Sequence, residues 1–255
     1  MTHSRSTDIA PQSPAAPRAT PIVQPAPTPS TNLVDLARGT GVAPFTAVLW
    51  DLDGTISDSA PGILNSLRAV LSSYGLPIPS DAELLKHVGP PIHETFAAYG
   101  LDPVEATERY RTIYRESDSF IGDPYPGILD LIRDVHAAGI PQSTATSKPE
   151  TSARVILESY GVADRFLTIT GASDDEVRSA KADVIEEALR RLEVAGVDLS
   201  NVLMIGDRFY DVQGSAEHDV PAVYVSWGYG RLGEEEGSVG VADSAERLRA
   251  FLALG

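Results

Sequence analysis

The stretch AVLWDLDGTISDS, Ala47 to Ser59, decides how the rest of the chain reads. An apolar run ends in two aspartates one residue apart, Asp51 and Asp53, followed by Gly54-Thr55. A strand running into an Asp-Gly turn is one structural explanation. A calcium loop of the D-x-D type is another, but it needs Gly at its sixth position and Glu at its twelfth. Counted from Asp51, those positions hold Ile56 and Gly62. The chemical reading divides the work between the two carboxylates. One can attack phosphorus and form an acyl-phosphate. The other can protonate the departing oxygen and later take a proton from water.

Outward from this stretch, short apolar runs alternate with amphipathic segments. The runs are 45–50, 140–146, 166–170, 201–206 and 222–227. Helical patterns fill 126–139, 149–161 and 179–196, and the last carries Ala182, Ile185, Leu189 and Leu192 at helical spacing. Gly139, Gly161 and Gly196 stand where these helices should stop. Such alternation predicts an α/β fold with a parallel sheet covered on both faces. Between the first two strands lie about ninety residues that read only as helix, roughly 61–74, 80–88, 91–99 and 103–118. They predict a helical cap domain over 61–121, inserted into a core of 44–60 and 122–255.

Three further sites, Thr146, the Lys181 region and Asp207, lie at or beyond predicted strand ends, where ligands bind in open α/β sheets. Gly206-Asp207 closes a fully apolar run, and Asp211 follows four residues later. Dipole-favoured acids at a helix start explain Asp211. They explain Asp207 less well, because a carboxylate ending a buried strand needs a partner. A divalent cation shared with Asp51 supplies one, and oxygen-only ligands suit Mg²⁺. In QSTATSKPE (142–150), Thr146 offers a hydroxyl to a phosphate, while Ser147 and Glu150 predict a capping box. Lys181 near a helix start reads as solvated surface or as a phosphate ligand, with Lys148 and Arg178 competing for that role.

Composition limits the ligand. The 255 residues carry 36 acids against 20 bases, a formal charge of -16, so the surface repels nucleic-acid phosphates and anionic membranes. An anionic ligand therefore requires a local pocket of metal, lysine or helix N-termini. With no Cys, disulfide and thiolate chemistry are excluded. No apolar run is long enough to span a membrane. Residues 1–43 are rich in Pro, Ala, Ser and Thr and predict a disordered, solubilising tail, with a docking arm for a protein partner as the alternative. They lack the apolar stretch of a secretory signal, which makes a cytoplasmic location the expectation. Leu33 to Ala37 predict a turn of helix before the domain.

Together these residues resemble the haloacid dehalogenase (HAD) superfamily. Its first motif, D-x-D-x-[TV], is matched by Asp51 to Thr55, its second by Thr146, its third by Lys181, and its fourth, G-D-x-x-x-D, by Gly206, Asp207 and Asp211. The resemblance spans about 45–253 and implies a Rossmann-like core with a C1 cap. DPYPGILDLIRDVHAAGI (123–140), ATSKPE and WGYG are similar to the phosphoglycolate-phosphatase-like branch, and HVGPPIHETF (87–96) to its 5'-nucleotidase-like subset. The tail joined to this pattern is similar to an actinobacterial member described as a protein tyrosine kinase. The resemblance implies a Mg²⁺-dependent phosphatase acting on a small phosphorylated metabolite. Asp51 is then the nucleophile and Asp53 the acid/base. Thr146 and Lys181 bind phosphate. Asp51, Asp53 (through its carbonyl) and Asp207 hold the metal, with Asp211 behind. Protein phosphotransfer and non-catalytic binding are the alternatives. His87, His93, Glu94 and Tyr99 are candidate cap contacts, and GEEEGS (233–238) reads as a solvated loop.

Overall fold

The computed structural model describes residues 45–117, 120–175 and 177–254. The tail and the turn expected at Leu33 to Ala37 lie outside them. Five parallel strands form the central sheet in the order β4-β1-β7-β8-β9: β1 (Ala47–Trp50), β4 (Gln142–Thr144), β7 (Val202–Gly206), β8 (Ala222–Val225) and β9 (Gly240–Ala242). Side-chain alternation sorts each strand onto two faces. Val48, Trp50, Leu203, Ile205, Val223 and Val225 point into one buried cluster with α5 (Ile128–Ala137), α6 (Glu150–Ser159) and α9 (Ala245–Phe251). Ala47, Leu49, Val202, Met204, Ala222 and Tyr224 point into the other with α7 (Lys181–Val194) and α8 (Phe209–Ala216). The sheet is thus covered on both sides, which is why its central strands read as unbroken apolar runs.

One buried polar group inside this layer is fully engaged. Trp50 Nε1 donates to Gln142 Oε1 at 2.9 Å, and Gln142 Nε2 donates to the Ile132 carbonyl at 3.1 Å. Gly139, Gly161 and Gly196 end α5, α6 and α7 at φ of 75°, 64° and 84°, the left-handed conformation that a helix stop favours.

The chain leaves the core through β2 (Ser57–Asp58) and returns through β3 (Asp123–Pro124), which pair antiparallel. Between them lie α1 (Ala60–Ser73), α2 (Asp81–Leu84) with a 3₁₀ turn at Leu85–His87, α3 (Ile92–Ala98) and α4 (Pro103–Glu116). These helices bury a cluster of their own, including Leu67, Leu71, Leu84, Phe96, Tyr110 and Tyr114.

Three local expectations need correction. The run 166–170 forms no strand. Its Thr168 makes an isolated bridge with Ser143, and Thr144 Oγ1 both donates to the Thr170 carbonyl and accepts from its N–H. These hydroxyl bonds run beside backbone bonds from the Leu167 N–H to the Gln142 carbonyl and from the Thr144 N–H to the Thr168 carbonyl, and a regular strand forms only at β6 (Gly171–Ala172). The run 140–146 is interrupted at Ala145, after which Thr146–Pro149 forms β5 against β6. That extension removes the predicted capping box: the residue preceding α6 is Pro149, not Ser147. Glu150 turns instead to Arg191, 2.9 Å away.

Candidate active site

The C-terminal ends of β1 and β7 lie side by side, and their register places Trp50 opposite Ile205. Asp51 and Asp207 therefore emerge together. The Asp51 N–H donates to the Ile205 carbonyl at 2.9 Å. Asp211 lies in the first turn of α8 and turns back, accepting from the Arg208 N–H at 3.0 Å. The carboxylates of Asp51, Asp207 and Asp211 lie within 4.8 Å of one another, all buried.

Lys181, at the start of α7, reaches into this group. Its Nζ stands 2.9 Å from Asp51 Oδ1 and 2.8 Å from Asp211 Oδ1, and donates to the Ala145 carbonyl at 3.0 Å. It is buried, not solvated surface. Burial works against its charge, but Asp211 and Asp51 more than offset that and hold its pKa up. Asp207 has no lysine. Its Oδ1 accepts from Thr55 Oγ1 at 3.2 Å and its Oδ2 from the Tyr229 N–H at 2.7 Å. Burial first, then Asp211 and Asp51, push its pKa well above the carboxylate range. Burial also lifts Asp51, to about 6, against the opposing pull of Lys181.

Three buried carboxylates facing one ammonium leave an excess of two negative charges. A divalent cation matches that excess, and a donor set made only of oxygens suits a hard ion such as Mg²⁺. The chain residues therefore fit the ion.

Asp53 faces away from this cluster. Both its carboxylate oxygens lie 3.0 Å from Lys148 Nζ, which also donates to the Tyr114 hydroxyl at 3.2 Å. Thr146 is buried beside them, its Oγ1 accepting from the Lys148 N–H. Of the two lysines weighed in the sequence, Lys181 pairs with Asp51 and Asp211 and Lys148 with Asp53. Arg178 reaches neither: its Nε donates to the Gly171 carbonyl.

A cavity of about 630 Å³ opens above the site, with Asp51, Asp53, Thr146 and Lys148 on the core side. Residues of the helical segment also line it, among them His87, His93, Tyr110, Arg111 and Tyr114. Of the four cap candidates, His87 and His93 line it and Glu94 and Tyr99 do not. Tyr99 instead places its hydroxyl 3.3 Å from His87 Nε2.

Some contributors escaped the sequence reading. The WGYG loop binds the strand ends together. Trp227 Nε1 donates to the Thr55 carbonyl and the Tyr229 hydroxyl to Asp58 Oδ1. Its Gly228 backbone packs on Asp207, where a Cβ would lie 2.3 Å from Oδ2. Gly233, Glu236 and Gly237 of the GEEEGS run are exposed, but Glu234 is half-buried and has fixed partners. Its Oε2 lies 2.8 Å from Arg208 Nε and accepts from the Phe209 N–H, while Arg208 Nη1 donates to the Val88 carbonyl. Paired Gly and Tyr in WGYG were the available signal for the first; a run of three glutamates carries none for the second.

A family model described as haloacid dehalogenase-like hydrolase matches residues 48–225. The tyrosine-protein kinase PtkA of Mycobacterium tuberculosis is 42% identical over 187 residues, covering 72% of this chain. This match spans 63% of PtkA's own length. A 5'-nucleotidase of Pseudomonas aeruginosa is 32% identical over 190 residues, covering 73% of this chain and 85% of that protein. The crystal structure of a predicted phosphatase from Clostridium acetobutylicum superposes with a TM-score of 0.73 at 33% identity, covering 80% of this chain and 96% of that one. A parallel sheet that gathers its aspartates at the ends of β1 and β7, and a family match over most of the chain, place it among known proteins: it belongs to the haloacid dehalogenase-like hydrolase family.

Proposed function

We propose that the protein is a phosphoric monoester hydrolase that carries the phosphoryl group on Asp51, uses Mg²⁺, and acts on a small phosphorylated metabolite of the phosphoglycolate or 5'-nucleotide type. The observation that carries this reading is the buried group Asp51, Asp207 and Asp211, short of positive charge by two, whose Asp51 lines a cavity together with Asp53 and Lys148. Asp51, Asp207 and the Asp53 main-chain carbonyl are the groups to hold Mg²⁺, with Asp211 orienting the site; when bound, the ion supplies positive charge to the phosphoryl oxygens.

The chain's own residues do the rest. Lys181 keeps the Asp51 carboxylate charged and oriented for in-line attack on phosphorus. Thr146 and Lys148 neutralise the phosphoryl oxygens as the leaving oxygen departs. Asp53 gives that oxygen a proton and then takes one from water, which cleaves the phosphoryl–Asp51 bond. The helical segment keeps bulk water from the intermediate and shapes the space for the leaving group. Phosphate release over a panel of phosphoglycolate, nucleoside monophosphates, sugar phosphates and phosphotyrosine, with and without Mg²⁺, tests the reading. Asp51→Asn should abolish turnover while the protein stays folded; full activity in that variant would refute the assignment.

A second reading is favoured by the likeness to PtkA, which is named a tyrosine-protein kinase. In it the same aspartates pass a phosphoryl group to a protein tyrosine. ATP-dependent labelling of tyrosine, without release of phosphate from any ester of the panel, is the result that would favour it.

A further inference from the structure

The Lys148 ammonium is held between two layers of the molecule. Its core partner is the Asp53 carboxylate, with both oxygens at 3.0 Å. Its partner from the helical segment is Tyr114 of α4, whose hydroxyl accepts from Nζ at 3.2 Å and whose ring centroid lies 4.8 Å from Nζ. The Tyr114 ring is itself set in place. It stacks on Tyr110 at 5.6 Å and meets Phe120 edge-on at 5.2 Å, and its hydroxyl donates to the Phe120 carbonyl. Burial raises the phenol, so it stays protonated and meets Lys148 as a neutral acceptor.

This arrangement conflicts with the work assigned to Asp53. The ammonium occupies both oxygens of the carboxylate, so neither is free to meet a leaving oxygen. To protonate a leaving oxygen it must be released. An arriving phosphate ester competes for the same ammonium with oxygens of greater total charge, and Lys148 lines the cavity it enters. When Lys148 swings to those oxygens, its hydroxyl and ring contacts to Tyr114 keep it from leaving the cavity wall.

We infer that Tyr114 is a positioning residue of the phosphoryl site: it holds the Lys148 ammonium within reach of both Asp53 and the entering phosphoryl group, so that substrate entry frees Asp53 for proton transfer. The inference rests on the hydrolase reading and on the acid/base role of Asp53. It gives the helical segment a chemical part in the reaction through a single hydroxyl.

Tyr114→Phe removes that hydroxyl and keeps the ring. Its effect should depend on the leaving group, because p-nitrophenolate departs without a proton and an alkoxide does not. Two probes are compared: p-nitrophenyl phosphate and the alkyl ester of the panel that the wild type hydrolyses fastest. With the alkyl ester, kcat should fall about tenfold or more while KM changes less than about threefold; with p-nitrophenyl phosphate, the kcat loss should be several-fold smaller. In a Lys148→Met background, the same substitution should have no further effect on the ratio of the two rates. Equal losses on both esters, or an undiminished effect in the Lys148→Met background, would overturn the inference. Turnover of neither ester by the wild type would overturn the hydrolase reading and this inference together. Should Tyr114→Phe melt well below the wild type, the leaving-group ratio still decides, since loss of folded enzyme lowers both rates equally.

Discussion

Gly54 lies directly against the carboxylate of Asp207: a Cβ built on Gly54 would stand 2.3 Å from Asp207 Oδ2. Its φ of +88° is also one that side-chain-bearing residues avoid. The glycine of the D-x-D-G-T stretch thus serves the aspartate of the far strand, 153 residues away in sequence, by letting the β1 turn approach it. Gly54→Ala should displace Asp207 and add backbone strain on the order of 1–2 kcal/mol. Calorimetric titration should show weakened Mg²⁺ binding, and phosphate release should fall with it. Normal ion affinity in a folded Gly54→Ala protein would refute this account.

Lys181 is the ammonium that permits three buried carboxylates to sit together. Lys181→Met leaves them facing one another, and removal of one partner from a buried ion pair typically costs about 3–5 kcal/mol. The variant should melt well below the wild type in chelator and recover part of the loss when Mg²⁺ is added. A melting temperature equal to the wild type in chelator would show that the carboxylates do not depend on this lysine.

The same crowding sets a pH dependence. In the folded chain burial pushes the Asp51 carboxyl up to about 6, from an ordinary aspartate value of about 3.9. The folded state therefore binds the proton more tightly than the unfolded one. The associated stability is fully present below pH 4 and is lost as pH rises through 6. In chelator, Asp51→Asn should gain on the wild type between pH 4 and pH 7, by an amount on the order of 2–3 kcal/mol. Added Mg²⁺ should narrow that gap at pH 7. Melting curves of both proteins across this range, with and without the ion, measure it. A gap independent of pH would mean that the raised Asp51 carboxyl does not exist in solution.

Arg208 joins the loop between Asp207 and Asp211 to the segment that opens α3. Its guanidinium is buried, with Glu234 on one side and the Val88 carbonyl on the other. Glu234→Gln leaves that charge without its carboxylate, at a cost of about 1–3 kcal/mol. Hydrogen exchange should quicken at residues 85–91 more than in the central strands. Uniform exchange across both would argue against a specific connection.

Much of the fold was legible because its signals are local. A strand buried on both faces at the centre of a sheet is mostly apolar, so 45–50 and 201–206 announced themselves. A helix that ends in a left-handed residue selects Gly, so Gly139, Gly161 and Gly196 marked the ends of α5, α6 and α7. The run 166–170 misled because the Thr144 hydroxyl of the neighbouring strand closes on both the carbonyl and the N–H of Thr170, and a residue pattern does not distinguish that from a ladder. The capping box at Ser147 misled because Thr146–Pro149 pairs with Gly171–Ala172, a partner distant in sequence.

The sequence by itself determined that this chain is an α/β protein with a helical insertion after its first strand, and that its aspartates stand at strand ends. Those properties follow from periodicity and from where apolar runs stop. Only the tertiary structure decided how the charges pair. Lys181 and Lys148 are each a single cation near a helix start in the sequence, yet one is buried between Asp51 and Asp211 and the other between Asp53 and Tyr114. Charge pairing inside a protein is set by which groups the packed layers bring within about 3–4 Å and away from water, and neither condition is written in residue spacing.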